Sequence, residues 1–333
     1  MDELGLTSLA LVDGCAKEQL ARLERLLQPR HLKAGDVLMR ERDDGSFFAL
    51  LLSGELEVTR TTEDGPQQLA VVGPGSVIGE LALLRGRPRT ATVSATKPTL
   101  AATGDQAALE LLLDIPEVYD RMRHLASARL AADCRPVATM LPDGRPILLR
   151  PLLPSDREAF TSAVQHLSPD SLRRRFFTPG QPSERMIDYL VDIDFVDHFA
   201  WVVLHPDRPD EGMATARYVR SGDAPGTAEV AFGVIDAEQG RGIGSLLLGA
   251  IGAAGLAAGI ERFTASLLHT NQAMKSVFAK ANATFGVSEP GVITAELDVA
   301  AAADLLDPDL RRELDAAVHD VVTAAGLALT NST

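Results

Sequence analysis

The sequence predicts two domains of different class, a small antiparallel β-barrel with flanking helices followed by an α/β domain. Three observations carry this reading. The chain has 333 residues, long for one hydrophobic core and natural for two. Its first third consists of short apolar segments separated by glycine-containing turns, the pattern of a compact antiparallel barrel. Its second half alternates strand and helix patterns, as α/β domains do.

In chain order, Lys17 to Leu27 carries Leu20, Leu23, Leu26 and Leu27 at helical spacing. Strand-like segments follow at Val37–Met39, Phe47–Leu52, Leu56–Thr59 and Leu69–Val72, punctuated by Gly35, Gly54, Gly65 and the turn Gly73-Pro74-Gly75. Pro116 opens a helix bearing Val118, Met122, Leu125 and Leu130, since proline is favourable at a first helical position. Pro136, Pro142, Asp143 and Gly144 interrupt any helix, and the boundary is placed there: a first domain at 1–133, a linker at 134–146, a second domain at 147–300. Within the latter, strands are expected at Phe199–Leu204, Ala214–Val219, Thr227–Ile235 and Phe263–Leu268, with a helix from Gly244. A last helical segment, 301–333, starts at Asp307-Pro308 and places Leu310, Leu314, Val318, Val321 and Ala325 on one stripe.

The formal charge is −14, and both halves are acidic. A surface that tracks nucleic-acid phosphates needs a basic face, so nucleic acid is not expected as a partner. The longest apolar run, Leu246 to Ile260, is too short to span a bilayer and contains four glycines. It reads as a buried helix with its following loop, and no membrane association is expected. The start Met1-Asp2-Glu3 lacks the basic region of a signal peptide. Cys15 and Cys134 cannot build a disulfide framework and suit a reducing, cytoplasmic setting. No metal-ligand cluster is read.

In the first domain the informative segment is Gly79-Glu80-Leu81-Ala82, then Arg85 to Val93. A short helix starting near Gly79 would point free N–H groups at a phosphate. Arg89 can pair with that phosphate and Glu80 can accept from a sugar hydroxyl. Taken singly, Arg89 could be a surface cation and Glu80 a helix-start carboxylate. Together they resemble the phosphate-binding cassette of the cyclic-nucleotide-binding family, and residues 34–38 and 52–58 resemble its barrel strands. The resemblance implies that Arg89 grips the cyclic phosphate of cAMP, Glu80 the ribose 2′-hydroxyl, and Arg129 the base; Thr90 stands where guanine can be read. Arg42 departs from the pattern, standing where the family has glycine in a loop one residue shorter.

In the second domain, Gln239-Gly240-Arg241-Gly242-Ile243-Gly244-Ser245 joins an expected strand to an apolar helix. Glycines let backbone approach a pyrophosphate, and a helix N-terminus stabilises its charge. The pattern is neither a dinucleotide fingerprint nor a P-loop. It resembles the acetyl-CoA loop of the GCN5-related N-acetyltransferase (GNAT) family. That resemblance implies pantetheine contacts from the backbone of Phe232, Gly233 and Val234, a further contact from Asn271, and CoA phosphate neutralisation by Lys280. Phe278 stands where many members carry a tyrosine that acts as general acid, and Asn282 replaces a usual glycine.

Acetyl transfer to lysine needs a neutral amine. With a reference pKa near 10.4, only about one lysine in a few thousand is neutral at pH 7. A carboxylate that accepts the proton recovers part of that deficit. Glu229 is the candidate catalytic base, placed there in the lysine-modifying branch of the family; a solvent-facing strand carboxylate is the alternative. His198 and Asp197 are weaker candidates.

Both motifs in this order, with Ser171 to Phe176 and Asp192 to Val202, resemble the mycobacterial cyclic AMP-regulated protein lysine acetyltransferases, except that Arg173 replaces a tyrosine. The resemblance implies acetyl-CoA as co-substrate, cAMP as allosteric ligand and proteins with a reactive lysine, notably acyl-CoA synthetases, as partners. Two other classes share a domain each. A small-molecule amine N-acetyltransferase would share the CoA site. A nucleotide-responsive transcription factor would need a basic helix-turn-helix where this chain has an acidic α/β domain. The resemblance also suggests the amphipathic segment Asp307–Leu329, with acidic residues Asp304, Asp307, Asp309 and Glu313, as a lid over the acceptor site; a helix that merely completes the core is the alternative, which the pattern fits nearly as well.

Overall fold

A computed structural model describes residues 4–62, 65–195 and 197–325. The chain forms two compact units, Met1–Ala126 and Ser127–Thr333. Two 3-10 turns precede α1 (Lys17–Glu24) in the first unit. Then follow β1 (Gln28–Leu32), β2 (Val37–Met39), β3 (Phe48–Ser53), β4 (Leu56–Thr62), β5 (Gly65–Val72) and β6 (Val77–Ile78). After α2 (Glu80–Arg85) come β7 (Thr92–Ala95), β8 (Thr99–Gly104), α3 (Gln106–Leu113) and α4 (Pro116–Asp133), the last running across the division between the units.

The strands form two antiparallel four-stranded sheets, β1-β8-β3-β6 and β2-β7-β4-β5. β3 explains why the run Phe47–Leu52 is apolar without alternation: both of its faces are buried. Ala49 and Leu51 pack with Leu56, Ile78 and Val93 between the sheets. Phe48 and Leu50 point the other way, to Leu23, Leu109, Val118 and Met122 of the helices.

The second unit is built on one eight-stranded sheet ordered β15-β16-β14-β13-β12-β11-β10-β9. Its elements are β9 (Val137–Met140), β10 (Pro146–Pro151), α5 (Arg157–Gln165), α6 (Pro169–Phe176), α7 (Glu184–Val191), β11 (His198–His205), β12 (Arg208–Ser221) and β13 (Ala224–Val234). They continue with α8 (Ile243–Ala257), β14 (Arg262–Leu268), α9 (Gln272–Ala279), β15 (Thr284–Glu289), β16 (Val292–Asp298), α10 (Val299–Ala303) and α11 (Pro308–Ala325). Every pairing is antiparallel except β13 with β14, which are parallel and in register only at Thr227–Arg262, Ala228–Phe263 and Glu229–Thr264. Beyond Glu229 the two strands part, and this splay opens the sheet at its centre.

Two sequence expectations need revision. Residues 134–146, expected as a linker, contain β9, which pairs with β10 as the edge of the sheet. Pro142-Asp143-Gly144 is a hairpin turn: Leu141 N donates to Arg145 O, and Gly144 takes a positive φ of 83°. The breakers are read correctly as ending a helix, but they bracket a strand. At the other end, the α11 stripe lies in the core of this unit, with Leu314, Val318, Val321 and Val322 all at most 5% exposed. Burying four such side chains is worth roughly 6–12 kcal/mol as an upper bound, comparable to the stability of a whole domain. That favours the helix that completes the core over the lid; residues 326–329 of the expected segment lie outside the described residues.

α8 shows why its glycines are there. A Cβ on Gly252 would stand 2.6 Å from Ala303 N, and one on Gly249 2.6 Å from Leu306 Cγ. Glycine at 252 lets the α10 backbone lie directly on α8, and glycine at 249 admits the Leu306 side chain. Among the described residues no helix is long and apolar enough to cross a membrane.

Candidate functional site

The splay between β13 and β14 opens a cleft of about 400 Å³ in the second unit. Glu229, Phe232, Gly233, Val234, Gln239, Gly240, Gly242, Ile243, Gly244, Ser245, Asn271 and Lys280 all line it. Arg241 does not. Its guanidinium turns to Asp143, Glu238 and the carbonyl of Ala237, so this loop arginine holds the β9–β10 turn.

Gly242 caps α8 at φ 90°, and a side chain there would stand 3.1 Å from Pro142 Cγ. Glycine is therefore required by backbone conformation as well as by space. Ahead of it, Gln239 Nε2 donates to Ser171 Oγ (3.0 Å) and Val234 O (3.1 Å). Asp236 accepts from Ser168 N, Ser168 Oγ and Ser171 Oγ. These bonds hold its carboxyl below the usual range against the opposing effect of burial. Gln239 thus ties the loop to α6, and the N-terminus of α8 faces the cleft, where its dipole favours an anion. Ser171 and Asp236 are the supports that sequence reasoning missed; a Ser-Pro helix start at Ser168 was the available signal.

Across the cleft, Asn271 is buried and caps α9, its Oδ1 accepting from Met274 N at 3.2 Å. Lys280 Nζ donates to Ser245 Oγ at 2.8 Å, bringing a cation to the first turn of α8. Phe278 is fully buried, edge-on to Phe232 at 5.7 Å. It supplies shape where a tyrosine would supply a proton. Asn282 takes a left-handed φ of 57°, the conformation for which glycine is usual.

Glu229 is exposed, in register with Val219 on β12 and Thr264 on β14. The two weaker base candidates are occupied elsewhere. Asp197 is ion-paired with Arg220 at 3.0 Å. His198 is buried, stacked on Tyr189 and 3.0 Å from Arg217 Nη1. Burial, then the Arg217 charge, pushes the imidazole down to about 4.

In the first unit, Arg89 and Glu80 are both buried, at 5% and 1% exposure. Arg89 donates to Gly79 O (2.8 Å) and Phe47 O (2.5 Å) and lies over the Phe47 ring. Burial lowers its guanidinium from the ordinary value, while the charges of Glu80 and Asp43 raise it. Gly79 has φ 81°, and a Cβ there would fall 2.4 Å from Arg89 Nη1. The cradle therefore depends on glycine. Leu81 and Ala82 continue α2, and Thr90 is exposed, its carbonyl accepting from Arg60. Arg42, flagged as replacing glycine, adopts φ 70° and donates its N–H to Arg89 O. The arrangement fits a cyclic phosphate at Arg89 with a ribose at Glu80. Arg129 falls in the second unit. Among the described residues no group of three His, Cys, Asp or Glu converges as a metal site.

Comparisons with known proteins follow the same division. The family model for a cyclic nucleotide-binding domain matches residues 29–115, and that for a GNAT acetyltransferase domain matches residues 147–284. The chain is 36% identical over 325 residues to acetyltransferase Pat of Mycolicibacterium smegmatis, covering 96% of each. It is similar to the solved structure of a cAMP-binding acyltransferase from Mycobacterium smegmatis, with 34% identity, 96% of each chain covered and a TM-score of 0.50. Over 39% of its length it is 27% identical to a CRP-like cAMP-activated global transcriptional regulator of Mycobacterium tuberculosis, spanning 58% of that protein.

Proposed function

The chain belongs to the family of acetyltransferases in which a cyclic nucleotide-binding domain precedes a GNAT domain, and from that premise we propose that it transfers acetyl from acetyl-CoA to the ε-amine of protein lysines under the control of cAMP. The observation that carries the reading is the splay of β13 from β14, which puts an exposed carboxylate, Glu229, and the N-terminus of α8 in one cleft. The N-terminus of α8, with Gly242 and Lys280, takes the CoA phosphates. The edge of β13 from Phe232 to Val234 that has parted from β14 hydrogen-bonds the pantetheine amides. Glu229, at the point where the strands part, accepts the ammonium proton from the incoming lysine. The amine then attacks the thioester carbonyl, and the thiolate departs. With Phe278 in place of a tyrosine, the thiolate takes its proton from water or from the acceptor.

Proteins are the acceptors in this reading, and acyl-CoA synthetases with an active-site lysine are the first to test. Arg89 and Glu80 hold cAMP. The two free cysteines agree with a cytoplasmic enzyme. Incubation with labelled acetyl-CoA, a panel of acyl-CoA synthetases and a panel of small amines tests the assignment. Label on a single synthetase lysine is expected; label confined to small amines would overturn it.

A further inference from the structure

A second cavity, about 500 Å³, lies in the acetyltransferase unit between α5, α6 and strands β10 to β13. Its size is within the range that takes small molecules. It is separate from the acetyl-CoA cleft but adjoins it, because Leu167, Arg175, Gly233 and Val234 line both. Its walls are largely apolar, with Leu152, Phe160, Val164, Val202, Leu204 and Met213 contributing. Gly233 and Thr215 face each other across β13 and β12. The glycine leaves the floor without a side chain.

The charge at one end of this cavity is unusual. Arg175, where cavity and cleft meet, forms no hydrogen bond or ion pair among the described residues; its guanidinium lies over Phe176, and the field of Glu229 reaches it. Behind it stands Arg217 on β12, only 2% exposed. One of its nitrogens donates to Leu190 O at 2.6 Å and meets His198 Nε2 at 3.0 Å. Its Nε and Nη2 are buried without a hydrogen-bond partner, and no carboxylate among the described residues pairs with it. Its guanidinium sits over the ring of Phe160, a residue of the cavity wall. Burial pushes Arg217 down to about 9, with the neighbouring Arg175 adding to the effect. Two cations held together in an apolar setting, one with unsatisfied N–H groups, are costly unless an anion neutralises them. The other charges on the wall do not do this. Arg150 and Asp156 are committed to each other in a two-bond pair, and Glu158 and Asp210 are exposed to water at the rim.

We propose that this cavity binds a small apolar monocarboxylate, its carboxylate against Arg175, with the buried charge of Arg217 behind, and its hydrocarbon among Phe160, Val164, Val202 and Met213. The carboxylate supplies acceptors to the Arg175 guanidinium, in the fork geometry that arginine favours, and a negative charge to offset Arg217 behind it. The ligand lies beside the β13 segment proposed to hold pantetheine, since Gly233 and Val234 line both cavity and cleft, so it is an effector site adjoining the acetyl-CoA cleft. It does not depend on the acceptor being a protein lysine.

The test uses the full chain, with thermal unfolding and calorimetric titration against hexanoate and 3-phenylpropanoate, and with hexanol and hexylamine as matched controls. A saturable rise in Tm with the carboxylates, absent with both controls, is expected. Ala163→Phe, which fills the cavity from α5, and Arg175→Met should each weaken carboxylate binding at least about tenfold. Arg217→Met should do the same; should it fail to fold for loss of the Leu190 and His198 contacts, the other two variants decide. The proposal is overturned if neither carboxylate binds, if hexanol binds as well as hexanoate, or if folded Ala163→Phe and Arg175→Met bind as wild type does.

Discussion

Replacing Glu229 by glutamine keeps the side-chain shape and removes the proton acceptor. The position is exposed, at the last residue where β13 and β14 remain paired, so the fold and the α8 loop should be undisturbed and acetyl-CoA affinity unchanged. The kinetic effect follows from the acceptor. At pH 7 only about one lysine in a few thousand is neutral. A positioned base recovers ~10²–10⁴ of that deficit, or about 3–5.5 kcal/mol of barrier. Glu229→Gln should therefore turn over ~10²-fold or more slowly at pH 7. Near pH 9.5 about one lysine in ten is neutral without help, so the handicap should shrink to roughly tenfold or less. The assay is kcat/KM for a single acceptor between pH 6.5 and 9.5, with acetyl-CoA binding measured separately. Profiles that run parallel for variant and wild type would refute the assignment of Glu229 as base.

Three further outcomes are expected. Arg89→Ala removes the phosphate partner and leaves two part-buried carbonyls, Gly79 O and Phe47 O, without their donor, at about 1 kcal/mol each; it should lower cAMP affinity at least ~100-fold and lower the unfolding temperature, with Arg89→Lys intermediate. Near-wild-type affinity in folded Arg89→Ala would contradict the cradle. Ending the chain after Val299 removes α11 and its buried stripe and should leave an insoluble or inactive fragment, whereas a soluble fragment acetylating without cAMP would restore the lid. His198 is held at about 4 against an ordinary 6.5. The unfolded chain therefore takes up a proton that the folded chain refuses, and stability, complete above pH 6.5, falls as pH drops towards 4, by roughly 3 kcal/mol in all. His198→Gln should flatten that slope in denaturant titrations, and an unchanged slope would remove His198 from the account.

Much of this site is legible in the sequence because its residues act through backbone geometry. Gly79, Gly240 and Gly242 all take positive φ, the conformation that glycine at a strand-to-helix turn announces. Arg42 and Asn282, picked out as departures from glycine, take it too. Harder to read were features that depend on what arrives from elsewhere in the chain. Arg241 sits inside the loop motif yet turns to Asp143, a partner 98 positions earlier. The short stretch 137–140 becomes a strand only because β10 lies beside it. The α11 stripe looks alike whether it covers a site or completes a core, and the burial of Leu314, Val318 and Val321 in the main cluster decides for the core. The pairing of Arg175 with the buried Arg217 leaves no trace in local pattern, since an arginine on a strand or helix ordinarily reads as a surface cation.

The central claim is that one chain couples a cyclic-nucleotide site to acetyl transfer onto protein lysine. Its most direct test is the initial rate of acetyl transfer from labelled acetyl-CoA to an acyl-CoA synthetase, by wild type and by Arg89→Lys, with and without cAMP. The account predicts that cAMP raises the wild-type rate at saturating acetyl-CoA and that Arg89→Lys needs far more cAMP for the same rise. Equal rates with and without the nucleotide, in a wild-type protein that binds it, would contradict the account.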